Sequence, residues 1–432
     1  MVYHLVIGWM DMKNNELFYS MVERIRELIG NYEFKVTHRT AAKHFSREGK
    51  IGFMNTVLMM LNFFKKTPVI EIYNFFDRIA KNNETVSRQA FEQAREKISH
   101  TAFVELFNET VEKGLSTVDP FLYKGYRLMA VDGSTVMVEN SKELKEHFGS
   151  SSPSEGDVFA RISMLFEVSN GFIVDASIGP FSIGERKMAI AHVEKLKEMD
   201  YVRSIIITDR GYWSPELISM IIENKGKLLM RVASNVSKQL SNNPASKGVL
   251  TVKYNKKSYK LRFYRFKLIS GEIETLVTNL DETEVSDNEL AELYFKRWGI
   301  ETKYKELKTF LQMENFTGKT VLSVLQDFYA TVFLSNMVAF AKLQADENIT
   351  NARKDKNLKY EYKANINIAI GILKDRLISM VLEENPLKRL ALMNRIIKAI
   401  SKNVIPVRPN RSAPRRESSI KYRKRTVSKS AL

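Results

Sequence analysis

The chain has 432 residues, 44% of them hydrophobic, which is enough for about two to four domains with a sizeable core. Its 67 lysines and arginines against 50 aspartates and glutamates give a net charge of +17. This charge favours a polyanionic partner, although a basic protein without a nucleic-acid role remains open. Cysteine is absent, which excludes disulfides, thiolate nucleophiles and cysteine-ligated metal sites and fits a reducing cytosol.

The first segment, residues 1–118, is predicted to be helical, because its apolar residues recur at three- and four-residue spacings. We predict that it is an N-terminal DNA-binding region because of the helix pair described in the next paragraph. The apolar run at 51–64 is too short to cross a bilayer, and it predicts a buried helix. The N-terminus has no signal-peptide pattern, so we expect a cytoplasmic protein without membrane contact.

Within this region, PVIEIYNFFDRIA and SRQAFEQAREKIS are joined by KNNETV and resemble a helix–turn–helix pair. Arg88, Gln89 and Arg95 give the second helix a polar, basic side. Arginine and glutamine pair bidentately with guanine and adenine edges, so these residues are candidate DNA contacts. A solvated amphipathic surface is the commoner explanation of such a side.

From about residue 123 the apolar pattern changes. YRLMAVDGSTVMV, ARISMLFEVSN and GFIVDASIGP predict three strands, followed by a helix, the strand SIIITD, a helix from Ser214 and the strand KLLMRVA. This order predicts an α/β fold with a ribonuclease-H-like mixed-sheet core at 119–233 and 285–345. The strongly alternating stretch between them, 234–284, predicts an antiparallel β insertion.

The C-terminal part is predicted to be helical over 346–402, with its last two helices at about 366–401. The tail at 403–432 holds the stretch RPNRSAPRRESSIKYRKRTVSKS, which is rich in cations and has few apolar residues, so we expect the tail to be disordered when free. Such a tail could contact target DNA or add non-specific affinity.

Three carboxylates stand out in this order of elements. Asp132 interrupts an apolar strand, Asp209 ends a buried strand, and Glu301 lies on a helix. Each has an ordinary explanation: an Asp-Gly turn for Asp132, a helix cap for Asp209, and an exposed pair with Arg297 or Lys305 for Glu301. The Asp209 explanation is weakened because Ser214 and the proline after it already supply a helix start.

The helix of Glu301 carries the pattern Tyr294-x2-Arg297-x3-Glu301-x6-Lys308. At about 100° per residue, these offsets place all four side chains within an arc of roughly 60°. A carboxylate beside two cations and a hydroxyl suits a metal ion next to a DNA phosphate. The six histidines show no metal-ligand spacing, so the metal is expected to be a hard cation with oxygen ligands.

The segments AVDGST, ITDRGY, YFKRWGIETKYKELK and LQMENFTGKT resemble those of cut-and-paste DNA transposases of the insertion-sequence-four type, which have a DDE catalytic centre. The resemblance covers roughly residues 30–425. It implies that Asp132, Asp209 and Glu301 bind two Mg²⁺ ions, for which Mn²⁺ can substitute. It further implies that Tyr294, Arg297 and Lys308 contact phosphates at the transposon end.

The same resemblance implies binding to double-stranded DNA at terminal inverted repeats and at the target, a hairpin intermediate, and a homodimer in the active complex. It places the protein in a bacterial cytoplasm, in association with the nucleoid. Two rival functions remain: a non-catalytic DNA-binding regulator derived from a transposase, and another ribonuclease-H-like nuclease such as a junction-resolving enzyme.

Two further residues lie beside the arc formed by Tyr294, Arg297, Glu301 and Lys308. Trp298 is at its margin, where core packing is the commonest fate of a tryptophan and stacking on an unpaired or flipped base is the alternative. Lys305 could add positive charge for DNA or merely solvate the helix.

Overall fold

The computed structural model describes residues 17–408, except 48, 50, 62–66, 80–84, 118–121, 151–155, 200–202 and 269. In chain order its elements are α1 (Leu17–Gly30), α2 (Tyr32–His38), α3 (Phe53–Leu61), α4 (Pro68–Ile79), α5 (Arg88–Arg95), α6 (Thr101–Thr117), β1 (Arg127–Val138), α7 (Lys142–Phe148), β2 (Val158–Glu167), β3 (Phe172–Pro180), α8 (Glu185–Glu198), β4 (Ser204–Thr208), α9 (Pro215–Glu223), β5 (Lys227–Val232), α10 (Lys238–Ser241), β6 (Lys247–Tyr254), β7 (Lys257–Lys267), β8 (Ile273–Thr278), α11 (Asp287–Phe295), α12 (Trp298–Lys305), α13 (Val321–Asn351), β9 (Glu361–Ala364), α14 (Ile366–Leu382), α15 (Pro386–Lys402) and β10 (Val404–Val407). A 3₁₀ turn covers Arg210–Tyr212, and a π-helical turn covers Glu306–Phe310.

Two compact units divide the chain. The sheet unit contains Asp119–Thr309 and Lys319–Val321, and the helical unit contains Met1–Val118, Phe310–Gly318 and Leu322–Leu432. Most of the long helix α13 therefore belongs to the helical unit, whereas the sequence pattern assigns residues up to 345 to the catalytic core. A buried polar contact within the unit shows this, since Asn336 of α13 donates to the Thr110 hydroxyl of α6 at 2.9 Å.

The sheet unit is built on eight strands in the order β3-β2-β1-β4-β5-β8-β7-β6. Strands β1, β2 and β3 form an antiparallel meander, and β4 and β5 run parallel to β1. The order of the first five strands is that of a ribonuclease-H-like core, and α8 and α9 supply the two crossovers between parallel strands. The structure thus confirms the fold class predicted from the sequence.

The insertion strands β6, β7 and β8 are antiparallel, as their alternation predicts. They extend the core sheet, because β8 pairs with β5 from Leu229↔Thr278 to Val232↔Thr275. Strand β5 would otherwise end the sheet with unpaired backbone groups, which β8 satisfies. Strand alternation alone carries no information about which neighbour a strand takes.

Helices cover both faces of the first five strands. On one face Leu128, Ile205 and Leu293 share a cluster with the rest of α11. On the other, Ile206 and Ile221 meet α8 around a small cavity. Because side chains alternate along a strand, residue 132 lies on the same face as residue 128, which is the face covered by α11 and α12.

The helical unit holds α1–α6, α14, α15, the two-stranded sheet of β9 and β10, and most of α13. Within the described residues, α13 is the helix long and apolar enough to cross a membrane, and 72% of its most apolar window is buried. Burial of this kind is what a core helix of a globular unit shows. Within the run at 51–64, Phe53–Leu61 form α3, and all but two of the side chains of α3 are buried, which confirms the prediction of a buried helix.

The start of the C-terminal tail is ordered, contrary to the sequence expectation. Residues Val404–Val407 form β10 and pair antiparallel with β9, in a register from Val404↔Ala364 to Val407↔Glu361. The four residues Val-Ile-Pro-Val are themselves apolar and suit a short strand, but the composition of the whole tail averages this local run with the cations that follow it. Residues 409–432 lie outside the described part of the chain.

Arg95, predicted as a DNA contact, points into the helical unit. It is 5% exposed, and its guanidinium donates to Gln326 Oε1 at 2.8 Å, to the Ser323 carbonyl at 2.7 Å and to Asp327 Oδ1 at 2.8 Å. Helical periodicity cannot distinguish a buried, fully bound arginine from an exposed one. Arg88 and Gln89 are exposed, and their DNA contacts stay a prediction; residues 80–84 of the turn lie outside the described residues.

Replacing Arg95 with lysine should lower the free energy of unfolding by about 2 kcal/mol, because an ammonium keeps the charge but not the planar set of donors. Urea unfolding measures this, with Arg88→Lys as an exposed control that should change stability by less than about 0.5 kcal/mol. A selective loss of DNA affinity at unchanged stability would contradict the structural role of Arg95.

Candidate active site

Asp132 lies in the middle of β1, which runs without interruption from Arg127 to Val138, so it is not part of an Asp-Gly turn. The backbone oxygen of Asp132 accepts hydrogen bonds from the Tyr304 hydroxyl at 2.7 Å and from the Ser163 hydroxyl at 3.3 Å. Its side chain accepts from the Gly133 N–H at 3.0 Å. Neighbours on β2 and α12 therefore fix the strand at the point where the carboxylate emerges.

Asp209 directly follows β4, at the carboxyl end of a strand parallel to β1. Ser214 caps α9, as predicted, and its hydroxyl accepts from the Leu217 N–H. Asp209 nevertheless has a capping contact of its own, because Oδ1 accepts the Arg210 N–H at 2.5 Å at the start of the 3₁₀ turn. The carboxylate is also held by Arg231, through Nε to Oδ1 at 2.7 Å and Nη2 to Oδ2 at 3.0 Å.

Glu301 lies on α12, but the single helix predicted around it is broken. Helix α11 ends at Phe295, α12 begins at Trp298, and a π-helical turn starts at Glu306. The Tyr294–Lys308 pattern is thus spread over two helices and a turn. Turns of the π type recur at functional sites, where they redirect side chains.

The guanidinium of Arg297 brings the three acidic residues together. Arg297 Nη2 donates to Glu301 Oε1 at 2.6 Å, and it lies 4.0 Å from Asp209 Oδ2, while Nη1 lies 3.9 Å from Asp132 Oδ2. The Arg297 side chain is 4% exposed, whereas the three carboxylates are 24–34% exposed. Asp132, Asp209 and Glu301 therefore converge in space, on one buried cation.

The two aspartates differ in their affinity for protons. Burial raises the pKa of Asp132 to about 6, and the nearby charges of Glu301 and Glu185 add to the rise, while Arg297 and the Gly133 N–H oppose it. Burial alone would also raise the pKa of Asp209, but Arg231 and the Arg210 N–H outweigh it and leave the pKa lowered. The two carboxylates therefore differ mainly because a guanidinium holds Asp209 directly, whereas burial dominates at Asp132.

Tyr294 lies close to two guanidinium groups in the same site. The Cζ atoms of Arg231 and Arg297 are 5.8 and 5.6 Å from its ring centre, and its hydroxyl donates to Asp209 Oδ1 at 3.4 Å. Burial raises the pKa of Tyr294 to about 12. Tyr294 and Arg297 are therefore buried against the acidic residues, and their contacts with DNA phosphates stay predictions.

Four charged residues of the site escape the sequence analysis: Arg231, Glu274, Arg210 and Glu185. The first three form one network, in which Glu274 Oε1 accepts from Arg231 Nη1 at 2.7 Å and from Arg210 Nη2 at 3.3 Å. In the strand KLLMRVA, Lys227 lies at the start, but Arg231 interrupts the apolar run itself, and this interruption is the signal that could have revealed it.

Glu185 begins α8 and approaches Asp132 closely enough to raise its pKa. A Cβ atom added at Gly133 would lie 2.9 Å from Glu185 Cγ, so glycine at 133 leaves room for this carboxylate. Glu185 Oε1 accepts from Arg161 Nη1 at 2.8 Å. Glu185 lies at a helix start, and two strands, β2 and β3, separate it from the strand of Asp132, so the sequence gives no sign of this proximity.

The remaining predicted contacts lie along α12 and the turn that follows it. Lys308 Nζ donates to Ser134 Oγ at 2.8 Å and to the Thr135 carbonyl at 2.6 Å, so it lies against β1 just beyond Asp132. Lys305 is exposed. Trp298 is 50% exposed, so core packing is the wrong prediction for it, and stacking on a base stays a prediction.

The donor set suits a hard divalent cation, since it consists of convergent carboxylates with no sulfur or imidazole. As the side chains stand, no three acidic or histidine residues in the described part of the chain are close enough together to hold a metal ion. Arg297 lies among Asp132, Asp209 and Glu301 in this arrangement. The three side chains nevertheless supply the oxygen donors that a hard divalent cation takes.

Known proteins that are similar to this chain are transposases. The family model described as a transposase DDE domain matches residues 123–337. The transposase InsG of insertion sequence element IS4 from Escherichia coli is 22% identical over 310 residues, covering 66% of this chain and 68% of InsG. A transposase ascribed to insertion sequence element IS4SA of Synechocystis is 24% identical over 266 residues, covering 60% of this chain and 73% of the relative.

A comparison with solved structures finds the cryo-EM structure of the piggyBac transposase synaptic complex with hairpin DNA. It is 11% identical, with a TM-score of 0.47, and the match covers 94% of this chain and 87% of that one.

Proposed function

This chain belongs to the insertion-sequence-four family of DDE transposases, and from that premise we propose that it cuts its own element out of DNA and inserts it elsewhere. The observation that carries the proposal is the convergence of Asp132, Asp209 and Glu301 on one buried guanidinium.

In the proposed reaction, Asp132, Asp209 and Glu301 hold two Mg²⁺ ions, or Mn²⁺ in their place. When bound, these ions activate the attacking oxygen and stabilise the leaving oxygen of the phosphodiester. Hydrogen bonds from Tyr304 and Ser163 to the Asp132 backbone keep that carboxylate in register with Glu301. Arg297, released from the carboxylates, and Lys308 neutralise phosphate charge near the cleaved strand.

The proposed sequence of strand events has four steps. Water first attacks the phosphodiester at the element end and leaves a free 3′-hydroxyl. That hydroxyl then attacks the opposite strand and forms a hairpin, which a second water opens before the 3′-hydroxyl joins target DNA. Each hydrolysis step consumes one water and leaves a 3′-hydroxyl and a 5′-phosphate. Each transfer step forms one phosphodiester bond as another breaks, so no external energy source is required.

The proposed partners are the terminal inverted repeats and the target DNA, with a homodimer holding the two ends. Exposed Arg88, Gln89 and Lys305 are candidate DNA contacts, and exposed Trp298 is a candidate for stacking on a base. The protein would act in the bacterial cytoplasm, in association with the nucleoid.

The test is cleavage of linear DNA that carries the element's ends, with and without Mg²⁺, against a control DNA with scrambled ends. We expect metal-dependent cleavage at the repeat boundary and a hairpin product on denaturing gels. Tight binding of the ends without cleavage under any divalent cation would favour a DNA-binding regulator. Structure-specific cutting of branched DNA regardless of sequence would favour a junction-resolving nuclease.

Removing residues 409–432 should weaken DNA binding and flatten its salt dependence, because this segment is rich in lysine and arginine. The truncation ends after β10, so the two-stranded sheet with β9 is kept. Affinity titrations at several salt concentrations measure the slope, and cleavage at saturating protein should stay at the full-length rate. Loss of that cleavage would show that the tail serves the chemistry itself.

A further inference from the structure

We propose that Arg231 and Glu274 are positioning residues for Asp209, with Glu274 as the second acceptor to which Arg231 shifts when a divalent cation binds. The inference rests on the proposed function, since it assigns roles around a carboxylate of the proposed metal site. It concerns only residues of the sheet unit.

The first observation is that Arg231 occupies both oxygens of Asp209. Strands β4 and β5 are parallel neighbours with Thr208 opposite Met230, so Asp209 and Arg231 are adjacent in the same register. Arg231 Nε is 2.7 Å from Oδ1, and Nη2 is 3.0 Å from Oδ2. Such a two-point contact fixes the orientation of a carboxylate, and it also competes with any metal ion for the same oxygens.

The second observation is a free acceptor on the other side of Arg231. Glu274 of β8 has a side chain only 5% exposed, and its Oε1 accepts from Arg231 Nη1 at 2.7 Å. Its Oε2 is buried and has no hydrogen-bond partner among the residues that the structure describes. An unsatisfied buried carboxylate oxygen is costly, so a donor that moves onto it is stabilised.

Together these contacts would allow Arg231 to shift hydrogen bonds from Asp209 to Glu274. A cation that binds Asp209 takes over part of its charge, and Arg231 loses a partner there. By turning toward Glu274 Oε2, the guanidinium keeps a charged partner while one of its N–H groups can still hold Asp209. Glu274 therefore makes metal binding easier, and Arg231 sets the orientation in which Asp209 binds.

The experiment is direct Mn²⁺ binding to the full-length chain without DNA, followed by the electron paramagnetic resonance signal of free Mn²⁺. Removing the competing arginine in Arg231→Gln should tighten binding by roughly tenfold, and Glu274→Gln should weaken it by roughly tenfold. In the double variant the Glu274 substitution should change the Kd by less than about twofold, because its effect requires Arg231. If Glu274→Gln changes the Kd equally in the wild type and in Arg231→Gln, the charge of Glu274 acts on the metal independently of Arg231. That result would contradict the proposed shift of Arg231 to Glu274.

Kinetics on the element ends separate positioning from folding. Arg231→Gln should need less Mn²⁺ for half-maximal cleavage yet have a lower kcat, whereas a destabilised protein would not bind metal more tightly. Arg231→Lys keeps the charge without the two-point contact, so it should restore near-wild-type Mn²⁺ affinity but only part of kcat. If thermal unfolding shows that the glutamine variant does not fold, Arg231→Met replaces it in the cycle, because it also removes the charge and the hydrogen-bond donors.

Glu282→Gln is the matched control, since it removes one carboxylate from the same unit at an exposed position paired with Lys247. It should leave the Mn²⁺ Kd unchanged, and a shift equal to that of Glu274→Gln would also overturn the inference. The two proposals fail separately. If the Arg231 and Glu274 substitutions are coupled in Mn²⁺ binding but no DNA is cleaved, the positioning roles stand and the transposase activity is refuted. If DNA is cleaved but the effects of the two substitutions on the Mn²⁺ Kd simply add, the transposase activity stands and the positioning roles are refuted.

Discussion

Glu301→Gln should reduce cleavage of the element ends by about 1,000-fold or more while leaving their binding within about twofold of the wild type. Glutamine keeps the size of the side chain but removes the charge that the proposed metal ions require. Metal ions contribute several kcal/mol to the stabilisation of a phosphodiester transition state, and each 1.36 kcal/mol is a factor of ten in rate. Single-turnover cleavage at saturating protein, together with an affinity titration in EDTA, measures the two effects independently.

Glu292→Gln is a suitable control for Glu301→Gln, because it makes the same change at an exposed position on the preceding helix α11. It should cleave at the wild-type rate. Asp132→Asn and Asp209→Asn should match Glu301→Gln, since the three carboxylates converge on one guanidinium. Cleavage by Glu301→Gln at the control rate would remove this residue from the reaction.

Arg297→Met should lower the free energy of unfolding in EDTA by about 3 kcal/mol. Removing one partner of a buried ion pair typically costs about 3–5 kcal/mol, and the partial exposure of the three carboxylates places this case at the lower end. For a unit of this size, that change corresponds to a fall in Tm of roughly 6–12 °C. Thermal unfolding by circular dichroism in EDTA provides the measurement.

Millimolar Mn²⁺ should restore much of the stability that Arg297→Met loses, because a divalent cation can take the place of the guanidinium among the carboxylates. Arg297→Lys, which keeps a positive charge at the same position, should be clearly less destabilised in EDTA than Arg297→Met. If Arg297→Met melts with the wild type in EDTA, the three carboxylates are not held together by Arg297.

Local patterns in the sequence are sufficient to predict most elements of the sheet unit. Period-two alternation marks β1, β2 and β3, and the apolar run before Asp209 marks β4, because each strand must bury at least one face. Asp132 interrupts one such strand and Asp209 ends another, and their order ahead of a helical glutamate is visible without a structure. These features are local, and each depends on a handful of neighbouring residues.

Other features depend on contacts between distant segments. Alternation in the insertion does not reveal that β8 pairs with β5, because strand partners are chosen by register and not by pattern. Arg95 and Arg88 both look like exposed helical charges, yet Arg95 is buried against Asp327, some 230 residues later in the chain. Periodicity indicates which face of a helix is apolar, and it therefore predicts that a charged residue on the other face is exposed. A buried arginine with a full set of acceptors is an exception that the sequence pattern does not reveal.

The electrostatics of the candidate active site also follow from tertiary structure. The spacing of Arg297 and Glu301 predicts a pair one turn apart, which is the 2.6 Å contact observed. Only the fold places Asp132 and Asp209 around the same guanidinium, and only the neighbouring strands bring Arg231 and Glu274 to Asp209. The sequence was therefore enough to choose the acidic residues, whereas their cationic partners were decided by the folded sheet, because charge interactions depend on distances that the order of residues does not specify.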